Sequence, residues 1–258
     1  MLIGLATLIM LLLGADFNFY FINELDTGVK EYVLDKERQK EILADLKVSQ
    51  KAIKTFNKQR NAKYKTFRTM NASQETTKED FAAFAKELRT ERLEFQEKVF
   101  DDRISIYQKI QPIEWDSIVL LSKEKLKAEI LKVQAKAEKK AIGVDDQFFA
   151  STRNAITETI ADPTKRKILM DGLENMVSSF DELGKKLKSM NSLDGEIYNN
   201  KDLSIQELLE ISKTANDLRG DFLNDLIDLH FLTKEQTSTT EWDSIMKTFN
   251  KELDITTH

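Results

Sequence analysis

Apolar residues recur at helical spacing along most of the chain. Between Leu34 and Met70 they fall at Leu34, Ile42, Leu46, Ile53, Phe56 and Phe67, at intervals of three, four, seven, eight and eleven. That spacing keeps one face of a long helix apolar. Asn71 to Thr76 is rich in turn formers, and Phe81, Phe84, Leu88, Phe95, Val99 and Ile106 then mark a second helix. A break that short predicts that the second helix packs back on the first as an antiparallel hairpin. The pattern returns later. Ile168, Leu169, Leu173, Val177, Phe180, Leu183 and Leu187, then Leu208, Ile211, Leu218, Phe222, Leu226 and Leu229, predict a second pair of long helices with a looser link over Asn191 to Asp202.

The two stretches match in one ungapped register. Glu114-Trp115-Asp116-Ser117-Ile118 recurs as Glu241-Trp242-Asp243-Ser244-Ile245, 127 positions later, and the two copies hold both tryptophans of the chain. The same offset pairs Asp35 with Asp162, Lys40 with Lys167, Leu46 with Leu173, Arg92 with Arg219, Phe95 with Phe222 and Leu126 with Leu253. It points to a duplicated unit of roughly 90 residues. The expected fold is all-α: two tandem helical-hairpin repeats, at 23–126 and 161–258, joined by a helical connector at 127–160 that Gly143 interrupts as a C′ residue.

Capping residues agree between the copies. Thr77 with Asp80, and Ser204 with Glu207, carry the hydroxyl and the N3 carboxylate that together satisfy free amide protons at a helix start. Ahead of the tryptophans, Pro112 suits the first helical position and Glu114 the third, whereas Ser238 and Glu241 form another capping box. Trp115 and Trp242 then sit where an aromatic can staple each hairpin to its next helix; the competing reading is an exposed aromatic that grips a partner.

The N-terminus breaks the amphipathic pattern. Met1 to Leu13 carries no charge and only Gly4 and Thr7 among apolar residues, and the first charge is Asp16. Extended through Ile22, a helix here would reach about 33 Å, enough for a bilayer core of about 30 Å. Residues 1–22 are therefore expected to anchor the chain in a membrane, with Phe17, Phe19, Tyr20 and Phe21 as an interfacial aromatic belt. A secretory signal or a buried core helix are the alternatives. The first two place the remainder outside the cytoplasm.

Composition narrows the chemistry. The 258 residues include 8 glycines, 2 prolines and no cysteine, so disulfides, zinc-thiolate sites and thiol catalysis are excluded. A net charge of −5 gives no reason to expect nucleic acid. Residues 34–126 are nonetheless net basic and 161–253 net acidic. There are two histidines, His230 and His258, and no phosphate-cradling glycine loop, nucleophile elbow or paired-histidine zinc motif. Asp101/Asp102 and Asp145/Asp146 are adjacent carboxylates, which point apart on a helix. No enzyme, cofactor or metal site is expected.

Leu232-Thr233-Lys234-Glu235-Gln236 shortly before Trp242, with Ile110-Gln111-Pro112-Ile113-Glu114 before Trp115 and Leu34-Asp35-Lys36-Glu37-Arg38 at the first hairpin start, resembles the Leu-Thr-x-x-Gln signature of Spy- and CpxP-like periplasmic helical-hairpin proteins. The resemblance implies an antiparallel pair of hairpins, here within one chain, that captures unfolded or partner proteins without nucleotide. Carried onto this chain it implies that Lys47, Lys51, Lys54 and Lys58, flanked by Phe56, Tyr64 and Phe67, contact the bound protein. It also implies a periplasmic domain held at the inner membrane by residues 1–22. The other reading is a single-pass accessory subunit of an inner-membrane complex, whose Gly4, Ala6 and Thr7 permit close helix contact.

Overall fold

A computed structural model describes residues 20–22, 24–138 and 149–254, and every regular element among them is helical. In chain order these are α1 (Leu25–Tyr32), α2 (Lys36–Ala72), α3 (Lys78–Gln108), α4 (Pro112–Glu138), α5 (Ala150–Thr159), α6 (Pro163–Tyr198), α7 (Ile205–Gln236) and α8 (Thr239–Asp254). None of them is long and apolar enough to cross a membrane.

Each long helix starts where a side chain can take up its first amide protons. Asp35 accepts from Glu37 and Arg38 at the start of α2, and Asp162 accepts from Thr164 and Lys165 at the start of α6. Thr77 with Asp80, and Ser204 with Glu207, form complete capping boxes on α3 and α7. Helices α2, α3 and α4 begin at Lys36, Lys78 and Pro112; α6, α7 and α8 begin 127 positions later, at Pro163, Ile205 and Thr239. The link expected over 191–202 is shorter than that, because α6 continues to Tyr198. With no proline and a single glycine in that stretch, nothing ends the helix sooner.

Two differences concern the chain ahead of each hairpin. Residues 150–159, expected within the connector, form α5 instead, which packs on α6 and α8. Its polar sequence hides its role, since Ile156 and Thr152 are the residues it buries. It corresponds to α1, which packs on α2 and α4. Both follow a residue in the left-handed region, Glu24 before α1 and Phe149 before α5. Further upstream, Tyr20, Phe21 and Ile22 were expected at a membrane interface, yet they are 1%, 0% and 3% exposed in the helical core. Arg103 donates to the Tyr20 carbonyl and Tyr107 accepts from the Ile22 amide. An aromatic run reads alike for lipid and for protein interior; here at least its last three residues take the second. Phe17, Phe19, the remainder of 1–22, Gly143 and Asp145/Asp146 lie outside the described residues.

The hairpins α2–α3 and α6–α7 run antiparallel and cross along α3 and α7. Moving up α3, Phe81 meets His230 and Phe231, Arg89 meets Asp217, and Gln96 meets Asn216. This arrangement seats the tip of each hairpin in the base of the other. Tyr64, Phe67, Phe81, Phe84 and Leu88 share one core with Ile156, Leu173, Phe222, Trp242 and Phe249. A second core joins Tyr20–Ile22, Val29, Leu46, Phe100 and Trp115 to Leu208 from the other hairpin. Gly28 permits the close packing of α1 on α4, since a Cβ there would stand 2.8 Å from Cγ2 of Ile118.

Both tryptophans are buried, and both reach across. Trp242 Nε1 donates to the Ala72 carbonyl at 3.4 Å, and Trp115 Nε1 to the Asn199 carbonyl at 2.9 Å. Each thus caps the end of the other hairpin's first helix, where carbonyls lack helical partners. Trp242→Ala is expected to destabilise the chain by about 3–5 kcal/mol. Urea unfolding checks this, and a change below about 1 kcal/mol would mean that the tip-to-base joint holds without the indole.

Candidate functional site

Lys47, Lys51, Lys54 and Lys58 stand at spacings of four, three and four on α2, and all four are exposed. The aromatic residues read with them face the other way. Phe56 is buried and stacks on Phe95 with centroids 3.9 Å apart. Tyr64 donates its hydroxyl to the Leu253 carbonyl at 2.9 Å, and Phe67 packs near Phe81 and Phe84 in the core. Helical periodicity requires this division, because residues on the apolar stripe cannot also face solvent. One partial exception exists. A shallow groove of about 370 Å³ between α2 and α3 has Phe56 and Phe95 in its floor, Lys51 and Lys98 beside them, and Val48, which is 65% exposed. Of the expected set, the structure brings Lys51 and Phe56 to one surface and sends Tyr64 and Phe67 elsewhere.

Those two line a deeper cleft of about 470 Å³ between α2, α3, α7 and the end of α8. Its walls are Phe84, Leu88, Leu223, Leu226 and Leu253, and Arg92 and Arg219 also line it. Arg92 is only 7% exposed. Burial first, and the neighbouring Arg219 second, push its guanidinium well below the usual range. Around the crossing, Asn216 donates to Gln96 at 2.7 Å and accepts from Arg219 at 3.3 Å. Burial pushes the Tyr20 phenol there up to about 12, against the opposing pull of Arg219 and Arg92. Sequence reading used Arg92 and Arg219 only as register markers. The available signal was a cation on the apolar stripe of α3, four residues after Leu88, repeated 127 positions on.

At the other end of the first hairpin lies a buried polar knot. Asn71 donates to Asn250 at 3.1 Å, and its carbonyl oxygen faces Nδ1 of His230 at 3.2 Å. The imidazole packs edge-on against Phe81, Phe231 and Trp242, and its Nε2 is buried without a hydrogen-bond partner. Glu114 and Glu241 have local tasks. Glu114 accepts from the Gln111 amide and pairs with Arg38, and Glu241 accepts from the Ser238 amide and hydroxyl. Among the described residues no three potential ligands cluster as a metal site. Arg89 and Asp217 form an ion pair between the basic and acidic halves at 3.3 Å, but Arg89 is exposed and Asp217 only half-buried, and such pairs contribute at most about 1 kcal/mol.

Comparison of the chain with protein-family models, curated proteins and solved structures gives no match.

The knot sets a pH dependence. Burial pushes His230 down to about 4, with Lys234 adding to the shift and the bond to Asn71 opposing it. The unfolded imidazole titrates near 6.5, so the unfolded chain binds this proton first. Stability from His230 is therefore fully present above pH ~6.5 and lost as pH falls from there towards the folded value, by roughly 3 kcal/mol in all. Urea unfolding across pH 7 to 4 is expected to show a smaller decline in His230→Gln than in the parent chain; parallel profiles would remove His230 as the cause.

Proposed function

We propose that this is a non-enzymatic, Spy-like protein-binding chain, held at the inner membrane by its N-terminal run with its helical hairpins in the periplasm. The observation that carries the reading is the exposed row Lys47, Lys51, Lys54 and Lys58 beside an open groove with Phe56, Phe95 and Val48. Such a surface attracts an acidic chain over distance and then offers a small apolar contact. Equal spacing of the helix starts, matched caps and reciprocal tryptophan joints support descent from one duplicated hairpin unit, so that one chain does what two copies of a hairpin would do together.

One observation favours the second reading, a single-pass accessory subunit. Tyr20, Phe21 and Ile22, the last described residues of the expected anchor, are held in the core of the helical body. A chaperone gains from a flexible tether, whereas a subunit docked in fixed register gains from a stiff joint.

Replacing the row by Lys47→Glu, Lys51→Glu, Lys54→Glu and Lys58→Glu leaves the fold intact, because all four side chains are exposed. On the first reading it weakens capture of an acidic unfolded client by about tenfold or more. Suppression of client aggregation measures this. Unchanged suppression would overturn the role of the row. Purification of the parent chain in mild detergent, with mass spectrometry of bound proteins, separates the readings: one stoichiometric membrane partner selects the subunit.

A further inference from the structure

The deep cleft is polarised along its length. On α3 its wall runs Phe84, Leu88, Arg92, one side chain per turn over about 12 Å. On α7, which runs in the opposite direction, the facing wall is Leu226, Leu223, Arg219 over about 10 Å. Both walls therefore change from apolar to cationic in the same direction. Lys86 and Arg89 add positive charge at the exposed rim, where the acidic Asp221 also lies, and Asp217 is already shared between Lys213 at 2.7 Å and Arg89 at 3.3 Å. A volume of about 470 Å³ lies within the ~300–1,000 Å³ of small-molecule sites.

We propose that this cleft binds a single-chain amphiphile with an anionic head, its tail between Phe84 and Leu226 and its head at Arg92 and Arg219. The two guanidiniums brought together at the hairpin crossing carry like charge, and an anion added between them is attracted by both, beside the bond that Arg219 makes to Asn216. Guanidinium forks suit carboxylate and phosphate alike. The aliphatic walls exclude a small inorganic anion as the full occupant, since most of the volume would stay unfilled. This site is separate from the lysine row and stands whether or not the row captures proteins.

The test is saturable binding of the fluorescent fatty acid cis-parinaric acid to the full chain, in nanodiscs with empty nanodiscs as the blank. Competitors are oleate, oleoyl lysophosphatidate and oleyl alcohol. One or both anions are expected to displace the probe at about one per chain, and oleyl alcohol at least about tenfold less well; the better anion identifies the head. Arg219→Gln is expected to lower the affinity for the anion and not for the alcohol. Gly220 lines the cleft, and a Cβ there meets no atom within 4 Å, so a side chain can start from it without a clash, and Gly220→Phe is expected to narrow the cleft and weaken both. Melting curves confirm that each variant is folded. Absence of saturable binding, equal competition by the alcohol, or unchanged affinity in both variants would overturn the site.

Discussion

The carbonyls that end α2 and α6 have no helical amide to accept from, and each is met by an indole from the opposite hairpin. That exchange fixes the whole arrangement. A two-helix hairpin has one apolar stripe per helix and cannot cover both by itself. Here the first hairpin's tip closes the core formed by α5, α6, α7 and α8, and Leu208 from the second hairpin enters the core of α1 to α4. Asn71 then bonds both Asn250 and His230 inside the joint, and Tyr64 ties the tip to the last turn of α8. Disturbing one end therefore exposes apolar surface belonging to both hairpins.

The crossing has a cost as well as a use. Antiparallel passage of α3 past α7 lets matching positions of the two hairpins meet only at the crossing point, and there both carry arginine. Arg92 is buried there with Arg219 nearby, inside a cleft whose remaining walls are largely apolar. Burying like charges runs against stability, and such conflicts concentrate where a structure meets a ligand. The lysine row involves no such conflict: it is exposed, and its charge is screened by salt rather than buried against a like charge.

Much of this was legible in the chain. Thr77 with Asp80 and Ser204 with Glu207 announced two helix starts, and alternation of Lys47, Lys51, Lys54 and Lys58 with Ile53 and Phe56 separated the wet face from the dry one. Periodicity identifies a buried face but not what buries it. Phe67 could have belonged to a core of its own hairpin alone; it belongs to one that the two hairpins share. Leu34 follows the apolar spacing yet is 81% exposed, because it precedes the first turn of α2. Hydropathy likewise gave no means of separating lipid from protein around Tyr20, Phe21 and Ile22. The cleft was invisible because its two arginines lie 127 positions apart, and only tertiary packing makes them neighbours.

Seating each tip in the other base also orders events in time. Phe67, Phe81, Phe84 and Leu88 leave the ribosome early, but Trp242, Phe249 and Leu253, which complete their core, follow 154 to 186 residues later. At ordinary synthesis rates that interval lasts roughly ten to thirty seconds. For that time the first hairpin has an uncovered aromatic tip, and until Asn199 and Leu208 are made its base is open as well. A protein proposed to hold incomplete chains is thus, during its own birth, an incomplete chain in need of holding.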